Sequence, residues 1–262
     1  MSAPERFEEL SAGLATGVRT REGLVGLVLL GSASDEARDR RDEWSDHDFF
    51  ALTEAGRGAE IRPDLSWLPD QERLVLTARE GEIGFVAVYD DAHVLEFAFS
   101  DAAELAGARA VEATVVVDDD AGTTAELLAE ARVRAADGDR FDPANDARLV
   151  LVKLLIGVGR TRRGELLNGN SFIRQWAVQH LVRAIRGRFA AASTSLRDAN
   201  DPVRRFERDF PVWGAHMAAS LDLPIEECAY ELYRLARAVL EPGWDEFPSQ
   251  AADVVAARLG WS

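Results

Sequence analysis

Every segment of this chain that reads as a β-strand lies within its first 117 residues, and everything after residue 143 has helical spacing instead. Short runs rich in valine, leucine and phenylalanine fall at 24–30, 46–53, 74–78, 83–89, 93–99 and 114–117. Gly81 and the pair Asp90-Asp91 separate the middle members, which therefore read as a meander. Helical periodicity joins them at 4–19, through Phe7, Leu10, Leu14 and Val18, and again at 102–110 and 123–136. Thr123 or Thr124 is placed to cap the last of these. The segment 137–143 (Asp-Gly-Asp-Arg-Phe-Asp-Pro) reads as a junction. Beyond it the spacing predicts helices at 144–160, 171–186, 202–209, 212–220, 224–240 and 250–259. The expected fold class is α+β: a mixed β-sheet flanked by helices over residues 1–139, followed by an α-helical bundle over 140–262.

Charge divides the chain at the same place. Residues 1–139 hold 13 basic and 31 acidic side chains, a net of −18, whereas residues 140–262 hold 17 and 15, a net of +2. A first half so acidic would repel phosphate backbones, which argues against a nucleic-acid partner. It would attract metal ions and a cationic small molecule, or simply be a solvated surface. Hydrophobic residues make up 47%, enough for a packed core, yet no run of about 18 of them could span a bilayer. The first 20 residues lack the apolar core of a secretory signal, so the expectation is a cytoplasmic protein without a membrane anchor. A lone cysteine, Cys228, excludes an internal disulfide and any cysteine-based zinc site. It reads as a packed thiol.

The chemistry concentrates between residues 24 and 53. An apolar strand ends in Gly31-Ser32, a corner where the backbone can approach a phosphate closely and a hydroxyl can donate to it. After a loop of thirteen residues comes Asp46-His47-Asp48, followed by Phe49 and Phe50. On a strand, Asp46 and Asp48 point the same way, and two adjacent carboxylates repel unless a cation lies between them. Such a pair suits a two-metal phosphoryl- or nucleotidyl-transfer site. Alone, Ser45-Asp46 could equally cap a turn. A third acid would complete the set, and Glu96 is the best placed, because it interrupts the apolar run 94–99. A charge there is costly unless paired or metal-bound, or unless the strand is an edge with Glu96 facing water. Asp90-Asp91 and Asp118-Asp119-Asp120 rank lower, as loop charges at strand ends.

This order of parts (strand, Gly-Ser, loop, Asp-x-Asp on the next strand, carboxylate on a later strand) resembles the polymerase-β-like nucleotidyltransferase superfamily over residues 22–100. The local words Leu-Leu-Gly-Ser, Trp-Ser-Asp-His-Asp-Phe-Phe and Leu-Glu-Phe-Ala-Phe look most like bacterial antibiotic nucleotidyltransferases of the lincosamide and aminoglycoside types. The resemblance implies transfer of a nucleoside monophosphate from a nucleoside triphosphate to a small-molecule hydroxyl, with pyrophosphate released. By that analogy Gly31 and Ser32 hold triphosphate oxygens, Asp46 and Asp48 ligate two Mg²⁺ ions, and Glu96 serves as metal ligand or as base. His47 departs from the pattern, which usually has an apolar residue there, and reads as a packing residue behind the metals. Two rival readings share these residues: a protein-modifying, AMPylating enzyme of the antitoxin type, and a module that binds nucleotide without catalysis.

The second half carries fainter signals. Lys153 is the sole lysine among 30 basic residues and sits in a segment apolar nearly all round. It reads either as a point charge for the triphosphate or as a snorkelling side chain. Arg160, Arg162 and Arg163 suit a helix C-terminus, with a phosphate contact as the sharper alternative. Asn168-Gly-Asn170 reads as a capping turn, and His93, His180 and His216 as structural.

Overall fold

The computed structural model describes residues 3–138, 141–193 and 201–261. The chain divides into two units, residues 1–137 and 138–262. The fold is α+β, with the sheet in the first unit and helices alone in the second.

In the first unit the elements run α1 (Ala3–Thr20), β1 (Leu24–Leu30), β2 (His47–Thr53), α2 (Gly58–Ile61), β3 (Leu74–Glu80), β4 (Gly84–Tyr89), β5 (Val94–Ser100), β6 (Ala113–Val117) and α3 (Thr123–Gly138). The strands form one mixed sheet in the order β3-β4-β5-β2-β1-β6. The β2–β5 pair is parallel and every other pair antiparallel. Strand β1 is apolar throughout because both of its faces are covered. Leu27 and Leu29 join Phe7, Leu10, Leu14 and Val18 of α1 in a core on one face. Val28 joins Leu52 and the α3 residues Leu127, Leu128 and Ala131 on the other. Each of these buried leucine and valine side chains contributes roughly 1.5–3 kcal/mol. The second face is covered only in part: on β4 and β5, Val86, Val88, Val94 and Ala98 are half-buried, and Leu76 and Ala78 of β3 are exposed.

Packing across β1 and α3 is close. Gly26 faces the start of α3, and a Cβ added there would lie 2.0 Å from Thr124 Oγ1 and 3.1 Å from its Cβ. Gly26→Ala is therefore expected to destabilise the chain by about 1–3 kcal/mol, as overpacking does. A urea denaturation midpoint reads this, and Thr124→Ala should recover part of the loss.

Three expectations for this unit are corrected. Strand β2 begins at His47, so Asp46 is the residue entering it. The segment 102–110 is a series of turns, with no helix. There the Asp101 carboxylate accepts from the backbone N–H of Gly56 (2.8 Å) and Glu104 (2.9 Å), and Glu104 in turn accepts two hydrogen bonds from buried Arg62, both at 2.7 Å. Those side-chain bonds outweigh the helix propensity of the alanines. The start of α3 is held from outside: Asp118 accepts from the N–H of Thr124 and Ala125, and Asp119 from that of Thr123. Those acids serve the helix end. The backbone bond from Thr123 is the chief reason the Asp119 carboxyl sits below its ordinary value.

The second unit contains α4 (Pro143–Arg162), α5 (Leu166–Asn170), α6 (Val178–Arg188), α7 (Phe206–Asp209), α8 (Pro211–Leu221), α9 (Ile225–Leu240) and α10 (Ser249–Leu259). Asp142 caps α4 by accepting from the Asn145 N–H, with Pro143 in the first turn. Val150, Leu154, Leu181, Ile185, Leu232, Leu240 and the thiol of Cys228 share one core. Burial pushes the Cys228 thiol up, as a packed cysteine requires. Asn168-Gly-Asn170 ends α5 where a capping turn was expected, and Ser171–Ala177 continues as a π-helix before α6. Of the helix expected at 202–209, only Phe206–Asp209 forms, after Arg205 at φ 62° interrupts the chain. No helix among the described residues is long and apolar enough to cross a membrane.

Candidate active site

The alternation of β2 sorts its residues into two sets. His47, Phe49 and Ala51 are buried on the α1 side, while Asp48 and Phe50 are half-buried on the other. Glu96 lies opposite Asp48 in the parallel β2–β5 register, on the face it shares with Ala98. Side chains of register partners on one face are neighbours, so these two carboxylates stand side by side. Glu96 is exposed on that face, and partial desolvation pushes its carboxyl up from the ordinary value, with the charges of Glu80 and then Asp46 adding to this. Asp46 is therefore within electrostatic range of Glu96.

Gly31 forms the corner beside them. Strand β1 ends opposite Asp48, with Leu30 its register partner. The chain then turns through Gly31 at φ 50°, a left-handed conformation that costs glycine little. A Cβ at this position would lie 3.6 Å from Asp48 Oδ2, so the glycine leaves room directly against that carboxylate. The Ser32 hydroxyl donates to the Asp46 carbonyl at 3.1 Å and to its Oδ1 at 3.4 Å. The loop that follows is folded into short 3₁₀ turns, Gly31–Ala33 and Asp35–Arg40.

Arg41 holds that corner in place, and its sequence context hid it. Its guanidinium donates to three successive carbonyls, those of Ser32 (2.7 Å), Ala33 (2.9 Å) and Ser34 (3.2 Å). It also pairs with Glu8 at 2.7 Å and lies 4.5 Å from the Phe7 ring centroid. Its position in an Arg-Asp-Arg-Arg run looks like solvated surface charge, and only tertiary contacts distinguish it.

Behind the acids, on the α1 side, a buried polar chain supports β2. His47 is fully buried and stacks on Phe7 at 3.8 Å between ring centroids. One of its nitrogens, Nε2, meets Ser11 Oγ at 2.8 Å, and the other, Nδ1, meets His93 Nε2 at 2.7 Å. Desolvation, reinforced by His93 and Arg41, pushes His47 down to about 3, so it is neutral at neutral pH. Burial likewise lowers His93. The other histidines pair with acids of the second unit, His180 with Asp146 and His216 with Glu231. Asp90 and Asp91 are engaged by Arg73, and Asp91 also by Arg6.

Asp46, Asp48 and Glu96 are not drawn into one cluster: among the described residues, no group of three or more His, Cys, Asp or Glu side chains could hold a metal ion. Like charges side by side repel. The donor chemistry nonetheless fits Mg²⁺, a hard cation that protein sites bind through one or two carboxylates together with substrate phosphates. Lys153, in the second unit, has its ammonium 5.7 Å from the Phe172 ring centroid and 5.3 Å from that of Trp176. These two cation–π contacts account for a lysine in that apolar setting.

No family model and no curated protein matches the chain. Among solved structures it is similar to a nucleotidyltransferase-like protein from Exiguobacterium sibiricum 255-15, with 11% identity and a TM-score of 0.38, covering 88% of this chain and 74% of that one. It is also similar to an aminoglycoside 6-adenyltransferase from Bacillus subtilis, with 11% identity and a TM-score of 0.29, covering 100% and 93%.

Proposed function

We propose that the sheet unit catalyses transfer of a nucleoside monophosphate from a nucleoside triphosphate to a hydroxyl of a small acceptor. The observation that carries this reading is the register pairing of Asp48 with Glu96, beside the Gly31 corner and within electrostatic reach of Asp46. Gly31 and Ser32 receive the triphosphate, the open backbone corner allowing the approach and the hydroxyl orienting an oxygen. Asp46 and Asp48 would hold Mg²⁺, which supplies positive charge to the phosphates when bound. The acceptor oxygen attacks the α-phosphorus, its proton passes to the Glu96 carboxylate, and the bond to the bridging oxygen breaks to release pyrophosphate. Glu96 suits the base role because its raised affinity for protons improves the match to a hydroxyl. Trp44, 85% exposed and two residues before Asp46, offers a ring face on which a nucleobase can stack. In this reading Lys153 belongs to the packing of its own unit.

The acidity of residues 1–139 favours a cationic acceptor, which makes aminoglycosides and lincosamides the first classes to test. A panel of such acceptors with ATP, GTP, CTP and UTP, read by pyrophosphate release, is expected to give acceptor-dependent turnover with at least one nucleotide. Pyrophosphate release from none of the pairs, with the nucleotides still bound, would favour a binding module. Release seen only with a protein acceptor would favour the protein-modifying reading.

A further inference from the structure

A cavity of about 700 Å³ opens in the helical unit where the C-terminal ends of α4 and α10 come together. Its walls include the apolar Leu155, Ile156 and Leu259. Four guanidinium groups share it: Arg160, Arg162, Arg163 and Arg258. Among the described residues, two carboxylates pair with them. Glu165 accepts from Arg160 at 2.6 Å and from Arg163 at 3.1 Å, and Glu226 accepts from Arg162 at 2.7 Å.

Cations at helix C-termini are ordinary, and Arg162 has that role: it also donates to the Leu259 carbonyl at the end of α10, at 2.9 Å. The other three exceed what the helix ends require. Arg258 forms no ion pair among the described residues. Arg160 has its Nε buried without a hydrogen-bond partner. Clustered guanidinium groups repel one another, and a buried N–H without an acceptor is costly. The repulsion among the guanidinium groups is relieved by one anion entering the cavity.

We infer that this pocket binds a small phosphate-bearing molecule. Guanidinium forks match phosphate oxygens two at a time, and a dianion answers the two positive charges left after Glu165 and Glu226 are counted. The volume is that of a small-molecule site, larger than a bare phosphate needs, and the apolar wall suits an organic body such as a nucleoside. The pocket is built from residues 155–259 alone and keeps this chemistry whether or not the sheet's carboxylates carry out transfer.

The test is calorimetric titration of the full chain with AMP and with inorganic phosphate, in EDTA at low salt. Arg258→Ala and Arg163→Ala/Arg258→Ala are expected to weaken AMP at least tenfold. Asp46→Asn should bind it as the parent does, which separates this site from the carboxylate face. Arg258 has no ion-pair partner to strand, so its removal should leave the melting temperature unchanged and any lost affinity reports the pocket. Parent-like affinity in both arginine variants would overturn the inference, as would absence of binding by either probe.

Discussion

Asp48→Asn is expected to leave the chain folded and to slow nucleotidyl transfer by about 10³-fold or more, a loss of roughly 4 kcal/mol of transition-state stabilisation. Asparagine keeps the size of the side chain and removes the charge that would hold Mg²⁺ beside the Gly31 corner. Asp46→Asn should act alike, with the added effect that Ser32 loses a charged acceptor for its hydroxyl. Glu96→Gln should cost less, about 10²-fold, because a lost base is partly replaced by water. Initial rates of pyrophosphate release, with unfolding curves for each variant, measure the series. Chelation by EDTA should bring the parent to the level of Asp48→Asn. A parent-like rate in Asp48→Asn would remove the carboxylates from the chemistry.

The second large effect is on stability, and it has a definite sign. His47 is neutral in the fold, pushed down to about 3, whereas the unfolded chain holds its imidazole near an ordinary 6.5. As pH falls below 6.5 the unfolded state takes up a proton that the native state refuses, so stability declines by about 1.4 kcal/mol per pH unit. By pH 4 the loss from this one group is on the order of 3 kcal/mol. His93, lowered by burial as well, acts in the same direction. Carboxylates held low by partners, such as Glu8 beside Arg38, add their losses only at more acidic pH, as they protonate. Urea unfolding in EDTA between pH 7 and pH 4 should therefore show a steep acid limb. In His47→Gln the limb should flatten, because glutamine offers Ser11 and His93 polar partners without titrating. An unchanged slope would show that the buried imidazole pair does not govern acid stability.

What could be read from the residues beforehand follows from how local the deciding forces are. Strand β1 was legible because burial on two faces leaves an unbroken apolar run, and α1 because Phe7, Leu10, Leu14 and Val18 recur at helical spacing. The shared face of Asp48 and Glu96 follows from two-residue alternation, but their pairing needs the parallel β2–β5 register, which no local pattern encodes. The alanines at 102–110 suggested a helix because the competing bonds come from Gly56 and Arg62, far away in sequence. Arg41 and the Ser11–His47–His93 chain were hidden for the same reason: each draws its meaning from elements that meet only in the folded sheet unit. The π-helix at Ser171–Ala177 carries no periodicity that distinguishes it from an α-helix.

The parallel pairing of β2 with β5 has a kinetic consequence. Asp48 and Glu96 are separated by 48 positions along the chain, and the β3–β4 hairpin must fold back before they become neighbours. Closing such a span is entropically unfavourable and slow compared with zipping β1 to β2. Reactive competence should therefore emerge late during refolding, after most helical signal has returned, and a nascent polypeptide would remain chemically silent until its β5 segment had docked.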